Sequence, residues 1–100
     1  MIKININKDS FVFKNLYHSF FSDLNEISYE LTEDKFSIFE SSKKNSDPAS
    51  IDLQIKNNKF IVNYWDGYSL AEQKVFTDYL TAKKQFKKYA KKLARNLRTY

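Results

Sequence analysis

Lysine and arginine side chains carry most of the chemistry available to this sequence, and they gather towards its C-terminal end. The 100 residues include 17 basic side chains, 12 acidic side chains and a single histidine. All twelve acidic residues lie between Asp9 and Asp78, and the eight basic residues after Asp78 are accompanied by no acidic residue. A one-sided run of cations is an electrostatic footprint for phosphates or for an acidic protein surface. The pattern therefore favours binding over catalysis.

Few side chains could catalyse a reaction. His18 is the only histidine. An ordinary imidazole titrates in the range that suits acid–base chemistry, but the position of His18 beside apolar helix residues is typical of a structural histidine. There is no cysteine, and no spacing is typical of a metal site, a nucleophile elbow or a phosphate-binding loop. We therefore predict that the protein is not an enzyme and needs neither a metal nor another cofactor.

The basic residues need an element that positions them, and the sequence predicts a long C-terminal helix. Ser69 and Glu72 have the spacing of a capping box, and the apolar residues that follow recur at helical spacing. We predict a helix over residues 69–98. At 100° per residue, the basic side chains fall on one flank beside the apolar stripe: Lys84, Lys87, Lys88, Lys91, Arg95 and Arg98.

Alternating residues predict the strands. The first residues alternate isoleucine with polar side chains over 2–6 and predict an N-terminal strand. Two hairpins are predicted over residues 27–38 and 51–64, and Asn57 and Asn58 suit the two-residue turn of the second. In this register all six apolar residues of the second hairpin share one face, which is a demanding test of the pairing.

A first helix is predicted over residues 11–24, although residues 11–13 could instead end a hairpin. A polar loop is predicted over residues 41–50. The order of elements is then β-α-β-β-β-β-α in a single domain over residues 1–100. We predict an α+β fold in which an antiparallel sheet has two helices packed on one face.

The predicted C-terminal helix is longer than such a domain. Thirty helical residues span about 45 Å, whereas a compact domain of this size is about 33 Å across. The helix must then bend or overhang the sheet, and an overhang would leave Tyr89, Leu93 and Leu97 in need of cover. The first helix or a partner chain would supply it, which leaves a homodimer open.

A second group of candidate residues surrounds the end of the second hairpin. Asp52, Ile61 and Trp65 lie on its outer face, where the core does not explain Ile61 and Trp65, and Asp66 and Tyr68 come within three residues after Trp65. Tryptophan and tyrosine are favoured anchors of protein interfaces. We predict a partner-binding site that rivals the basic flank and consists of Asp52, Trp65, Asp66 and Tyr68.

The segment from Lys59 to about Leu97 is a strand, an aromatic-rich exit and a helix, and it resembles small bacterial immunity proteins of contact-dependent and other polymorphic toxin systems. The resemblance implies a non-enzymatic inhibitor that neutralises a cognate toxin by covering its active site. Two alternatives stay open. One is a nucleic-acid-binding protein that uses the basic flank, and the other is a small basic ribonuclease toxin of the RelE type.

The sequence also bears on location. The N-terminal residues lack the apolar run of a signal peptide, and no segment approaches the roughly 18 apolar residues of a membrane span. We therefore predict a cytoplasmic protein that does not bind membranes.

Overall fold

A five-stranded antiparallel sheet with two helices on one face forms the body of the protein. The computed structural model describes residues 4–41 and 47–99. The predicted fold class, an α+β protein with an antiparallel sheet and two helices packed on one face, is confirmed. A 3₁₀ helix precedes two α-helices and five strands: Ile6–Asp9, α1 (Ser10–Phe21), β1 (Ile27–Leu31), β2 (Lys35–Glu40), β3 (Ser50–Lys56), β4 (Lys59–Trp65), β5 (Ala71–Phe76) and α2 (Tyr79–Thr99).

The strands lie side by side in the order of the sequence, so each one pairs with its neighbour along the chain. Both predicted hairpins are confirmed, β1 with β2 and β3 with β4. In the second, Ile55 lies opposite Phe60 and the pairing continues in the predicted register. Asn57 and Asn58 have φ values of 53° and 61°. These left-handed conformations are those that a two-residue type I′ turn requires.

The predicted N-terminal strand is wrong for the residues that the structure describes, and residues 1–3 lie outside them. Ile4 and Asn5 belong to no strand, and Ile6 begins the 3₁₀ helix. The Asn5 side chain accepts a hydrogen bond of 2.9 Å from the Asn7 backbone N–H, and this local bond favours a turn over extended backbone. Ile6 is nevertheless fully buried, so its apolar side chain serves the core from a helical turn.

The predicted start of the C-terminal helix at Ser69 is also wrong. Residues 71–76 form β5, which pairs with β4 along its whole length. The helix begins at Tyr79, after Asp78, whose carboxylate accepts a hydrogen bond of 2.9 Å from the Thr81 backbone N–H. Backbone pairing with β4 thus outweighs the local capping-box pattern of Ser69 and Glu72.

The shorter helix removes the argument for an overhang. Its 21 residues span about 32 Å, which fits within the longest dimension of the molecule, 41 Å. Tyr89 and Leu93 are buried in the common core. The inference of a homodimer therefore loses its geometric basis.

Aromatic rings join the two helices to the sheet. The ring of Phe13 on α1 lies 4.7 Å from that of Phe36 on β2, and both contact Phe86 on α2, at 6.1 and 5.4 Å between ring centres. All three side chains are almost fully buried. Since α2 buries its apolar side against the sheet, its polar side faces away from it.

Candidate functional site

The sheet face opposite the helices, which we call the open face, carries three rows of side chains. Because side chains alternate along each strand, the register of the sheet fixes which residues are neighbours. The first row is largely apolar, the second polar and the third mixed. In order across the strands they are Ser28, Phe39, Ser50, Trp65 and Ala71; Glu30, Ser37, Asp52, Asn63 and Gln73; and Lys35, Gln54, Ile61 and Val75.

The polar row is connected by hydrogen bonds. The Gln73 amide donates to Asn63 Oδ1 and the Asn63 amide donates to Asp52 Oδ1, each over 2.8 Å. Partial burial raises the pKa of the Asp52 carboxyl, and the bond from Asn63 opposes that rise. The row therefore holds its side chains in fixed positions, with a carboxylate in the middle of the sheet.

Trp65 lies in the apolar row next to this polar row, as the sequence predicted for Trp65 and Asp52. Its indole is half-buried, and the indole N–H is buried without a hydrogen-bond acceptor in the described part of the chain. Leaving a buried donor unpaired costs about 1–3 kcal/mol. Its direct neighbours across the sheet, Ser50 and Ala71, are small. Trp65 is thus a large side chain on a face that the helices do not cover, and it does not serve the core.

Asp66 and Tyr68 lie in the turn between β4 and β5, where they have different structural roles. Asp66 Oδ1 accepts three backbone N–H groups, those of Tyr68, Ser69 and Leu70, over 2.7, 3.0 and 3.1 Å. These bonds hold the pKa of Asp66 below its ordinary value. Tyr68 is 68% exposed. Asp66 therefore shapes the turn from within, whereas the Tyr68 side chain is largely exposed.

The predicted basic flank exists on α2, and we call it the basic stripe. Its six side chains are all exposed. Arg98 binds Asp23 through two nitrogens, at 3.0 and 2.7 Å, and the other five form no ion pair with any described residue. The six residues are Lys84, Lys87, Lys88, Lys91, Arg95 and Arg98.

Two further lysines of α2 lie off the stripe and have partners. Lys83 approaches Asp9 at 3.6 Å, and Lys92 binds Glu72 at 2.7 Å. The Lys92 ammonium also lies over the ring of Tyr64, 4.8 Å from its centre. The helix thus pairs Lys83 and Lys92 with acidic residues of other parts of the fold and leaves most of its outward cations to solvent.

The two groups of predicted residues lie on opposite sides of the molecule. Asp52 and Trp65 face outward from one side of the sheet, and the basic stripe faces outward from the helices that cover the other side. One flat partner surface cannot contact both. The structure brings Asp52 and Trp65 together and separates them from the cations of α2.

A groove between α1 and α2 is a feature that the sequence did not reveal. It consists of two adjoining pockets of about 310 and 160 Å³ that share Val12, Leu16 and Lys87. Val12, Leu16 and Phe20 recur every four residues on α1, but only the relative position of the two helices shows that they border a groove. The remaining lining residues are Phe13, Asn15, Ser19, Lys83 and Lys84.

His18 and the acidic side chains are the groups that bear on acid–base chemistry and metal binding. His18 is exposed on α1, and its ring centre lies 5.4 Å from that of Tyr17. Within residues 4–41 and 47–99, no three side chains of His, Cys, Asp or Glu gather closely enough to hold a metal ion. In the same ranges neither helix has the length and apolarity to cross a membrane.

Comparison with known proteins adds no assignment. No family model, curated protein or solved structure matches this chain. The candidate surfaces therefore stand on their own geometry: the open face, the basic stripe and the groove.

Proposed function

We propose that this protein is a non-enzymatic binding module that holds a partner protein on the open face of its sheet. The observation that carries the proposal is the position of Trp65, in an apolar row that no helix covers within the described residues. We further propose that the protein is an immunity protein or a similar small inhibitor, which neutralises a bacterial toxin by covering its active site.

The composition of the open face suits a protein partner. Interfaces favour aromatic anchors in their centre and satisfied polar groups around them. Here the Trp65 ring lies beside the hydrogen-bonded row of Asp52, Asn63 and Gln73, and Val75 is 50% exposed on the edge strand. Strands hold these side chains more rigidly than a loop would, so little conformational entropy is lost on binding.

A toxin inhibitor needs only such a surface. Covering the active site of an enzyme is a steric effect and requires no catalytic group in the inhibitor. The resemblance of residues 59–97 to immunity proteins motivates this finer proposal, and the structure adds a strand, β5, between the exit and the helix of that segment.

The test is to isolate the complex with the product of the neighbouring gene and to measure its stoichiometry and affinity. We expect a one-to-one complex that weakens at least about a hundredfold on Trp65→Ala or Val75→Glu. Leu80→Glu is the matched control, because Leu80 is similarly exposed, at 57%, but lies on α2. The proposal fails if Trp65→Ala and Val75→Glu leave the affinity unchanged. It also fails if the protein isolated from its host carries nucleic acid alone.

Nucleic-acid binding through the basic stripe is the second candidate, since five exposed cations lie there without an ion pair to a described residue. Neutralising about five phosphates predicts a slope near −4.5 for the logarithm of affinity against that of salt. Changing Lys84, Lys88 and Arg95 together to Glu should abolish such binding. If the triple variant still binds nucleic acid, the stripe is not the phosphate site. The same holds if the wild type does not bind nucleic acid at low salt.

A further inference from the structure

The groove between the helices has an apolar floor. Val12 and Leu16 line both of its pockets, and Phe20 extends the floor along α1. Val12 is 50% exposed, whereas Phe13 and Phe21 of the same helix are almost completely buried. Leu16 and Phe20 are partly buried and also pack against the core, so the groove floor is the solvent-facing edge of the apolar side of α1.

The wall of the groove on α2 is cationic. Lys83, Lys84 and Lys87 line it, and neither helix contains an acidic residue. Asp9, at the start of α1, is engaged by Tyr79 and Lys83. At the other end Asp23 is engaged by Arg98. An apolar ligand that carries negative charge on one flank would satisfy the floor and the wall together.

We propose that this groove binds an acidic amphipathic helix of a second protein. The floor residues Val12 and Phe20 are eight positions apart on α1 and so span about 12 Å, which is the length of two helical turns. A bound helix would place apolar anchors at positions i, i+4 and i+7 on this floor. Its Asp or Glu side chains would lie against Lys84 and Lys87.

A second copy of the chain does not suit this groove. Its own helix layer would bring lysines against lysines, and such like-charge contacts oppose association. The α-helices of a second copy also contain no acidic residue to place against the groove wall. The occupant must therefore come from a different, acid-rich chain.

This site is independent of the proposed function, because the groove and the open face lie on opposite sides of the sheet. A toxin bound to the open face leaves the groove accessible. The protein would then hold two different chains at once, and loss of one interaction would leave the other intact.

The experiment is a selection from a phage-displayed library of helical peptides of about 16 residues, with the full-length protein as bait. We expect enriched peptides with Asp or Glu on one flank and apolar residues at i, i+4 and i+7. Fluorescence polarisation with a labelled enriched peptide should show that Val12→Asn and Lys87→Gln each weaken binding about tenfold.

The neighbouring residues provide matched controls. Phe11 precedes Val12, is 76% exposed and does not line the groove, so Phe11→Asn should change the affinity less than about twofold. Lys14→Gln is the control for Lys87→Gln, because Lys14 is exposed on α1, lies outside the basic stripe and does not line the groove. Circular dichroism of each variant shows whether it folds. If Val12→Asn is unfolded, Lys87→Gln still tests the groove.

Three results would overturn the proposal. The selection could enrich no peptide, the enriched peptides could lack acidic residues, or their affinity could be unchanged by both groove variants. Duplex DNA and phosphatidylserine vesicles are measured in parallel. If either binds and the peptides do not, the occupant is a nucleic acid or a lipid and the proposed helix is wrong.

Discussion

The hydroxyl group of Tyr79 donates a hydrogen bond of 2.6 Å to Oδ2 of Asp9, which joins residues that lie 70 positions apart in the chain. Lys83 reaches the same oxygen at 3.6 Å, and its ammonium lies over the Tyr79 ring, 4.6 Å from the centre. The first turn of α2 is thereby fixed to the residue before α1. Arg98 and Asp23 fix the two helices at their other ends.

Tyr79→Phe should weaken this junction without creating a cavity. The carboxylate of Asp9 loses a donor, so we expect the free energy of unfolding at neutral pH to fall by about 1 kcal/mol. Urea unfolding followed by circular dichroism measures the change. An unchanged midpoint would mean that water or Lys83 replaces the hydroxyl at no cost.

The same substitution should change how stability depends on alkaline pH. Partial burial and the bond to Asp9 hold the pKa of Tyr79 well above its ordinary value of 10.0. The unfolded chain therefore loses this proton first, so the stabilisation is complete below about pH 10 and is lost as the pH rises further.

Unfolding curves at about pH 9 and about pH 11 should thus differ more for the wild type than for Tyr79→Phe. The variant keeps part of the decline, because burial also raises the pKa values of Tyr64 and Tyr89. Equal declines in the two proteins would contradict the assignment of this effect to Tyr79.

Asp78→Ala should destabilise α2, since Asp78 accepts hydrogen bonds from both the backbone N–H and the hydroxyl of Thr81. We expect the Tm to fall by several degrees and the amides of the first helical turn to exchange faster with solvent. Ser69→Ala is the control, because its capping-box pattern does not start a helix here. If Ser69→Ala lowers the Tm as much as Asp78→Ala, the assigned start of α2 is wrong.

Phe86→Ala should be among the most damaging single changes. Phe86 is fully buried and contacts the rings of Phe13 and Phe36, so the cavity left behind should cost about 3–5 kcal/mol. Phe11→Ala, on an exposed position of α1, should cost less than about 0.5 kcal/mol. Chemical denaturation of both variants measures the difference, and comparable losses would refute the described core.

Substitutions at Asn57 should separate backbone conformation from side-chain effects. Its φ of 53° is readily adopted by glycine and disfavoured for a β-branched residue. We expect Asn57→Gly to be neutral or stabilising and Asn57→Val to lose about 1–2 kcal/mol in unfolding experiments. The reverse order would exclude a type I′ turn at this position.

The hairpin of β3 and β4 could be predicted from sequence because two independent signals agree there. The turn residues Asn57 and Asn58 set the register, and that register places six apolar residues on one face. A slip by one residue would expose all of them. The alternation over residues 2–6 is a similar pattern, but it lacked a turn signal and a partner strand, and the described part of it forms no strand.

The sequence pattern does not reveal the strand β5, and the reason is physical. It is an edge strand, and its helix-facing positions carry Glu72 and Lys74 opposite Tyr64 and Val62. Glu72 is accommodated there by its ion pair with Lys92, a contact across 20 positions of sequence. Because Phe76 is the only apolar residue on that side, the strand lacks a clear period-two pattern, and its last residues continue the helical spacing of α2.

The candidate surfaces were predictable to different degrees. The neighbouring positions of Asp52 and Trp65 follow from strand alternation, and the basic stripe follows from helical geometry, which does not depend on where the helix begins. The groove depends on how α1 lies against α2. That arrangement is set by buried rings from three elements and has no signature in either helix alone.

The order of the strands has a consequence for synthesis on the ribosome. Each strand can pair with the one before it as the chain emerges, but α2 is translated after all of them. Until α2 has left the exit tunnel, the side chains of Phe36, Leu53 and Val62 lack their cover, and such surfaces are prone to aggregate. The nascent sheet should therefore be a client of ribosome-associated chaperones until α2 emerges and covers it.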